Sequence, residues 1–372
     1  MKCRNSRFIF EEAQTSDSGE ILRLLEEDKS EGDISLIHTR RPDAYVSFMY
    51  EGDEVCVALC RDIQNGNIAG IGALAVKRAY INGSVEKVGY LFGLHIKQSY
   101  RKIFPILPGG YRFLGDYALK KDIKFVYTTI LEGNVYARKL LEKKRSFMPE
   151  YSFLGNYEVK AISVSYARKF SRYRHFTARR CEKKDMEDVL QLVTDFGKCR
   201  QFYQAITEKE LLTGLYQGIK TDHFIGVWSK KGDLAACGAL WDQTDYKQYY
   251  AAKFGGMIRV LARMPIVSRI FGYPLIQPEN SLIRFATLSF WAARGNDRDA
   301  FHALIGGIAR ESRELPFINV GMYEKEPLFS TLQGMRGIRY CSRVYLVDWR
   351  KEKTGLLQLD DFRIPYFECG LL

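Results

Sequence analysis

The 372-residue sequence has little of what marks a metalloprotein, a disulfide-stapled domain or a membrane protein. It contains only 5 His and 8 Cys. The cysteines, at positions 3, 56, 60, 181, 199, 237, 341 and 369, form no Cys-x-x-Cys pair, and no His stands at metal-ligand spacing. That scatter argues against a zinc site or a disulfide framework and for reduced, mostly buried thiols; no metal is expected. No stretch reaches the roughly 18 uncharged apolar residues of a membrane span. The amino-terminal MKCRNSR lacks the apolar run of a signal peptide. The expectation from these absences is a cytoplasmic protein. Disorder is excluded too, because 46% of residues are hydrophobic, with 23 Phe and 23 Tyr among them.

What the chain does have is a repeat. Residues 8–13 (FIFEEA), Asp17 and residues 21–25 (ILRLL) recur as 176–181 (FTARRC), Asp185 and 189–193 (VLQLV), each pair 168 positions apart. Further on, 68–74 (IAGIGAL) is echoed by 234–240 (LAACGAL) at an offset of 166. Two matches in one order and at nearly one offset indicate duplication of a whole domain. The period is far too long for a solenoid. The expected units are 1–168 and 169–372, each an α/β (α+β) domain with a mixed, mostly antiparallel twisted sheet flanked by helices.

The formal net charge is +12. Residues 97–145 hold 12 Lys or Arg against 4 Asp or Glu, so this segment alone contributes +8. Such concentration suggests an anionic ligand, the alternative being a solvated helix face. A nucleic acid is not the expected partner, because aromatic interleaving and recognised motifs are absent.

In the first unit, residues 8–10 alternate as a strand, and Ser16, Asp17 and Ser18 supply capping chemistry for a helix carrying Ile21, Leu22, Leu24 and Leu25. Residues 54–60 and 68–76 read as a hairpin over 64–67 (QNGN). After Asn82 and Gly83, residues 87–96 are apolar enough for a central strand. A Pro/Gly segment with Gly109 and Gly110 then precedes a helix expected from Tyr111. Backbone N–H groups at a helix start carry partial positive charge and suit a pyrophosphate. Glycines would let phosphate oxygens approach, with Arg101, Lys102 and Arg112 as flanking cations.

This order resembles the GNAT superfamily of N-acyltransferases. Leu94, His95 and Ile96, followed by residues 99–102 (SYRK), look like that family's strand end and Tyr-Arg-Gly turn. Asn134, Ala137, Leu140, Leu141, Glu142 and Lys143, with Phe147 beyond, look like its Asn-x-x-Ala-x-x-Leu-Tyr-Glu-Lys segment. The resemblance covers most of 8–165. It implies acetyl-CoA, or another acyl-CoA, as co-substrate and an unidentified amine as acceptor. It further implies that a backbone N–H near Leu94–Ile96 stabilises the thioester oxygen. His95 becomes a candidate general base, Tyr136 a substitute general acid, and Asn134 a coenzyme-orienting residue. Two departures stand out. The segment 101–110 is longer than the family's turn and contains prolines, and Leu141 occupies the place where many members have an acidic tyrosine.

The second unit keeps Arg294 and Gly295 at its turn but adds Asp297 and Asp299, whose carboxylates would repel a phosphate. It therefore reads as a scaffold or substrate-side domain. It also carries an insert, 246–280, in which 254–271 has the pattern of an amphipathic helix. That helix would pack onto the neighbouring unit, cover a cleft or touch a membrane surface. Two functions remain open: N-acyl transfer, and non-catalytic binding of an acyl-CoA or other small molecule.

Overall fold

The computed structural model describes residues 3–4, 7–27, 34–172, 175–213, 216–350 and 358–372. The first half opens with β1 (Cys3–Arg4), β2 (Phe8–Glu12), α1 (Ser18–Glu27), β3 (Ile34–Thr39) and α2 (Ala44–Met49). A meander follows, of β4 (Glu54–Asp62), β5 (Ile68–Ile81) and β6 (Ser84–Ile96). Its turns come from local chemistry: Gly66 lies at φ +75°, Asn82 at +53° and Gly83 at +83°, the left-handed pair that tight hairpins require. Then come α3 (Ile106–Lys120), β7 (Phe125–Leu131), α4 (Val135–Leu141), β8 (Glu150–Ser163) and α5 (Val164–Ala167).

The second half begins with β9 (Phe176–Arg180), α6 (Met186–Lys198), β10 (Arg200–Gln201), α7 (Glu208–Thr213), β11 (Phe224–Ser229) and β12 (Leu234–Trp241). The insert supplies β13 (Gln248–Phe254), α8 (Gly256–Arg263) and α9 (Pro265–Ile270). It is two short helices rather than the single one its pattern suggested, because Pro265 ends the first and begins the second. β14 (Ala286–Ala293), α10 (Arg298–Glu311), β15 (Phe317–Tyr323), α11 (Phe329–Gly334), β16 (Ile338–Asp348) and β17 (Ile364–Pro365) complete the chain.

Thirteen strands form one sheet in the order β1-β2-β4-β5-β6-β7-β16-β8-β15-β14-β12-β11-β9. Read outward from the central β16–β8 pair, β7, β6, β5, β4 and β2 on one side mirror β15, β14, β12, β11 and β9 on the other. The sheet is mixed and mostly antiparallel as expected, but where a sheet in each unit was expected the two join into one continuous sheet, and the repeat is visible in its strand order. Each half lends its last long strand to the other: β16 runs antiparallel to β7, and β8 antiparallel to β15. The cores are shared accordingly. Tyr345 and Val347 of β16 pack among Phe8, Phe10 and Leu114, while Ile162 and Val164 pack with Val320. A second tie joins the halves where β13 pairs antiparallel with β3.

Candidate functional site

β5 and β6 pair regularly from Ile81↔Ser84 to Ala73↔Phe92, and then the register slips so that Ile71 faces His95. Gly93 and Leu94 together oppose Gly72, which makes a β-bulge. Gly93 lies at φ +63°, where a side chain would be strained, and a Cβ there would meet the Phe48 ring at 2.9 Å. On its other edge β6 runs parallel to β7 only from Val88↔Phe125 to Leu91↔Thr128. Thr128 Oγ1 donates to the Leu91 carbonyl (2.8 Å), at the last paired position. Beyond it β7 stays with β16 and β6 stays with β5, so the two diverge. A cleft of about 330 Å³ opens in this splay.

The cleft is apolar. Phe10, Ala58, Cys60, Leu114, Leu141 and Tyr151 line it, and among the described residues no Asp, Glu, His, Lys or Arg does. Burial pushes the Cys60 thiol up to about 12, so it stays protonated and is no nucleophile at neutral pH. The Tyr111 and Tyr151 hydroxyls are hydrogen-bonded to each other. Burial carries Tyr111 up to about 12 against the pull of that bond. Tyr90 and Thr129 share a hydrogen bond across the splay (3.2 Å).

Of the residues singled out in the sequence, Leu94, Ile96, Gly110, Tyr111 and Asn134 line the cleft. Asn134 is also the N-cap of α4, its side-chain oxygen accepting the Ala137 N–H (3.0 Å). Arg101, Lys102 and Arg112 are exposed and lie outside the lining, with Arg101 Nε donating to the Ile96 carbonyl (3.2 Å). The helix expected from Tyr111 begins instead at Ile106. Prolines are tolerated in a first turn, where their missing N–H has no partner to lose. This shifts the glycines. Gly109 lies inside α3, its N–H bonded to the Pro105 carbonyl (3.0 Å). A Cβ on it would fall 2.1 Å from the Phe10 ring, so this glycine lets α3 pack onto β2. The N–H groups of Ile106 and Leu107 head the helix, and Pro108 has none to offer. His95 and Tyr136 do not line the cleft. His95 is half-buried, its pKa lowered by burial against the opposing charge of Glu27, and Tyr136 is 65% exposed.

The sequence reading missed Gly93, although a glycine within an apolar strand run (YLFGLH) is itself a bulge signal. It also missed the buried charges beside the β5–β6 hairpin. Tyr90 and Phe92 stack with centroids 5.5 Å apart, and Lys77 Nζ lies 4.7 Å from the Tyr90 centroid. Arg40 pairs with Glu51 (2.6 Å), and Lys247 joins them (3.3 Å). Burial would raise Glu51, but Lys247, Arg40 and Lys77 outweigh it and hold the carboxyl at about 2. Burial brings Lys77 down to about 7 despite the attraction of Glu51. Its ammonium donates to the Leu371 carbonyl (3.1 Å).

The second half repeats the bulge and fills the space. Between β12 and β14 the register slips so that Gly238 is opposed by Phe290 and Trp291, and Phe290 lies at φ +50°. β14 and β15 pair in parallel only at Ala286↔Ile318 and Thr287↔Asn319. Here the carboxyl-terminal segment takes the opening. Glu368, 1% exposed, accepts the Phe290 N–H (2.7 Å), the Gly370 N–H (3.2 Å) and the Tyr366 hydroxyl (3.1 Å). Asp297 caps α10 by accepting the Asp299 and Ala300 N–H groups (2.8 and 2.9 Å). Both sets of backbone donors already have a carboxylate.

A bulged central strand diverges from its parallel neighbour in two mirrored copies, and solved structures share the overall fold. Saccharomyces cerevisiae N-myristoyltransferase with bound myristoyl-CoA matches with a TM-score of 0.60 at 10% identity, over 94% of this chain and 85% of that one. The chain has the fold of the GNAT superfamily, in two copies. A GCN5-related N-acetyltransferase from Sphaerobacter thermophilus matches at 0.59 and 12% identity over 94% of this chain and 98% of that one. One from Anabaena variabilis matches at 0.51 and 11% identity over 91% and 72%. No protein-family model and no curated protein matches the sequence. Among the described residues no three His, Cys, Asp or Glu side chains are grouped to hold a metal ion, and no helix is long and apolar enough to cross a membrane.

Proposed function

We propose that the protein is an acyl-CoA-dependent N-acyltransferase working in the first-half cleft. The observation that carries this reading is the Gly93 bulge of β6, which lies on the wall of an apolar cleft where β6 and β7 part. The bound myristoyl-CoA of the yeast neighbour supports an acyl-CoA as donor. The acceptor nitrogen attacks the thioester carbonyl, and the carbonyl oxygen gains charge that backbone N–H groups of Phe92–Leu94 can meet. The C–S bond then breaks, coenzyme A leaves as thiolate, and the acceptor nitrogen gives up its proton. Much of the rate comes from positioning and from those fixed donors. Arg101 and Lys102, with the start of α3, would face the coenzyme phosphates.

The apolar lining favours an acyl group longer than acetyl, since each buried methylene contributes about 0.8 kcal/mol. The assay is coenzyme A release from acyl-CoAs of two to fourteen carbons with a panel of amines. The expected result is an amine-dependent rate whose kcat/KM climbs with chain length until the cleft is full. If no amine stimulates release, this reading fails.

A second reading is favoured by the absence of any charged side chain from the lining. In it the cleft binds an acyl-CoA and performs no chemistry. Calorimetric binding of acyl-CoA without consumption of the thioester for any amine would establish it.

A further inference from the structure

The insert helices face outward with the wrong polarity for solvent. Ile266 is 74% exposed, Ile270 71% and Phe271 54%, and Val260, Met264 and Leu275 are exposed beside them. Their inner side is anchored: Ser268 is fully buried, and a Cβ on Gly272 would fall 2.7 Å from the Tyr166 ring. The arrangement is thus a seated, paired helical cap presenting six large apolar side chains outward. Several large exposed apolar side chains gathered in one short segment mark an interaction site.

Charge selects the partner. Residues 253–278 contain Lys253, Arg259, Arg263 and Arg269 and no Asp or Glu. Beside Ile270 lies an open pocket of about 260 Å³ lined by Ser165, Tyr166, Lys169, Arg269, Gly272 and Arg336. Arg336 donates to the Phe271 carbonyl (3.1 Å), which holds its guanidinium against α9. Lys169 lies over the Tyr166 ring, 3.8 Å from its centroid. Among the described residues, no carboxylate pairs with Lys169, Arg269 or Arg336. Three cations around a headgroup-sized hollow, flanked by outward-facing Ile and Phe, match an interface that is anionic at its surface and apolar just below it.

We propose that α8 and α9, with the Lys169–Arg269–Arg336 pocket, dock the protein onto an anionic lipid bilayer. The apolar side chains enter the acyl boundary while the pocket takes a lipid phosphate. This surface lies outside the cleft, so the proposal stands independently of the acyl-transfer reading.

Flotation of the full chain with vesicles tests it. The expected result is recovery with vesicles of phosphatidylcholine and phosphatidylserine in equal parts, and not with phosphatidylcholine alone. The triple variant Lys169→Ala, Arg269→Ala, Arg336→Ala should lose partitioning on the order of 100-fold. Ile266→Ser with Ile270→Ser should lose it comparably, and both variants should keep the parent's melting temperature and acyl-CoA affinity. Equal recovery with neutral vesicles, or none with anionic ones, would overturn the proposal. So would undiminished binding by the Ile266→Ser, Ile270→Ser variant, which would leave only a phosphate pocket. A vesicle-free dimer by light scattering that this variant dissolves would assign the face to a second copy of the chain instead.

Discussion

The two halves of the sheet make the same bulge and use it differently. In the first, Gly93 takes the left-handed turn, and β6 and β7 part around an open cleft. In the second, Phe290 takes it, and Glu368 sits on the Phe290 N–H within 2.7 Å. A phenylalanine at φ +50° is a costly choice, held by packing on Tyr216 and Trp241. The strand geometry is thus the same in both places, while the chain's own carboxylate occupies one opening and the other stays open. Vacancy, more than charge, separates the two: Asp297 and Asp299 looked repulsive in the sequence, yet Asp297 acts as an N-cap.

The comparison breaks most severely if the first cleft is filled. Ala137 is half-buried on the cleft wall, so Ala137→Trp can turn its indole inward without unfolding α4. Acyl-CoA affinity measured by calorimetry should fall by at least ~3 kcal/mol, about a hundredfold or more, with little change in melting temperature. Retained affinity would mean that the ligand sits elsewhere.

The second half should answer to stability instead. Glu368→Ala strands the buried Phe290 and Gly370 N–H groups, and the expected cost is about 1–3 kcal/mol in urea unfolding, with acyl-CoA affinity unchanged. A gain of a second binding equivalent in this variant would show that the tail masks a working site rather than replacing one.

How far the sequence carried this comparison depends on the element. The repeat, the meander with its Asn-Gly turns and the central strand were all legible, because each rests on local periodicity or turn chemistry. The exchange of β8 and β16 was not, since it depends on which of two similar strand edges each segment meets. Asn134 and Leu141, singled out through the family resemblance, both stand on the cleft wall. Of the two glycines, Gly110 lines the cleft while Gly109 serves the Phe10 contact, and the bulge itself is formed by Gly93. Glu368 carries no signature at all, because its role comes from a long-range return of the chain.

Smaller effects sharpen the picture. Arg101→Ala with Lys102→Ala should weaken acyl-CoA binding by about 1–2 kcal/mol at low ionic strength, the loss shrinking as salt screens these exposed cations. An unchanged affinity would remove them from the phosphate site. The buried side of the first half sets a pH dependence. His38 is held well below its ordinary value by burial and by Arg40 and Lys247, and His95 is lowered by burial. Both folded values lie below the unfolded one near 6.5, so the unfolded chain takes up protons first as pH falls. Through these two groups stability should fall as pH drops below about 6.5, read as a lower urea midpoint at pH 5 than at pH 7. His38→Phe should flatten that slope.

The most direct measurement is the stoichiometry of acyl-CoA binding to the whole chain, by titration calorimetry with a long-chain acyl-CoA. The account predicts one equivalent per chain, lost in Ala137→Trp and kept in Glu368→Ala. Two equivalents, or one that survives Ala137→Trp, would contradict it.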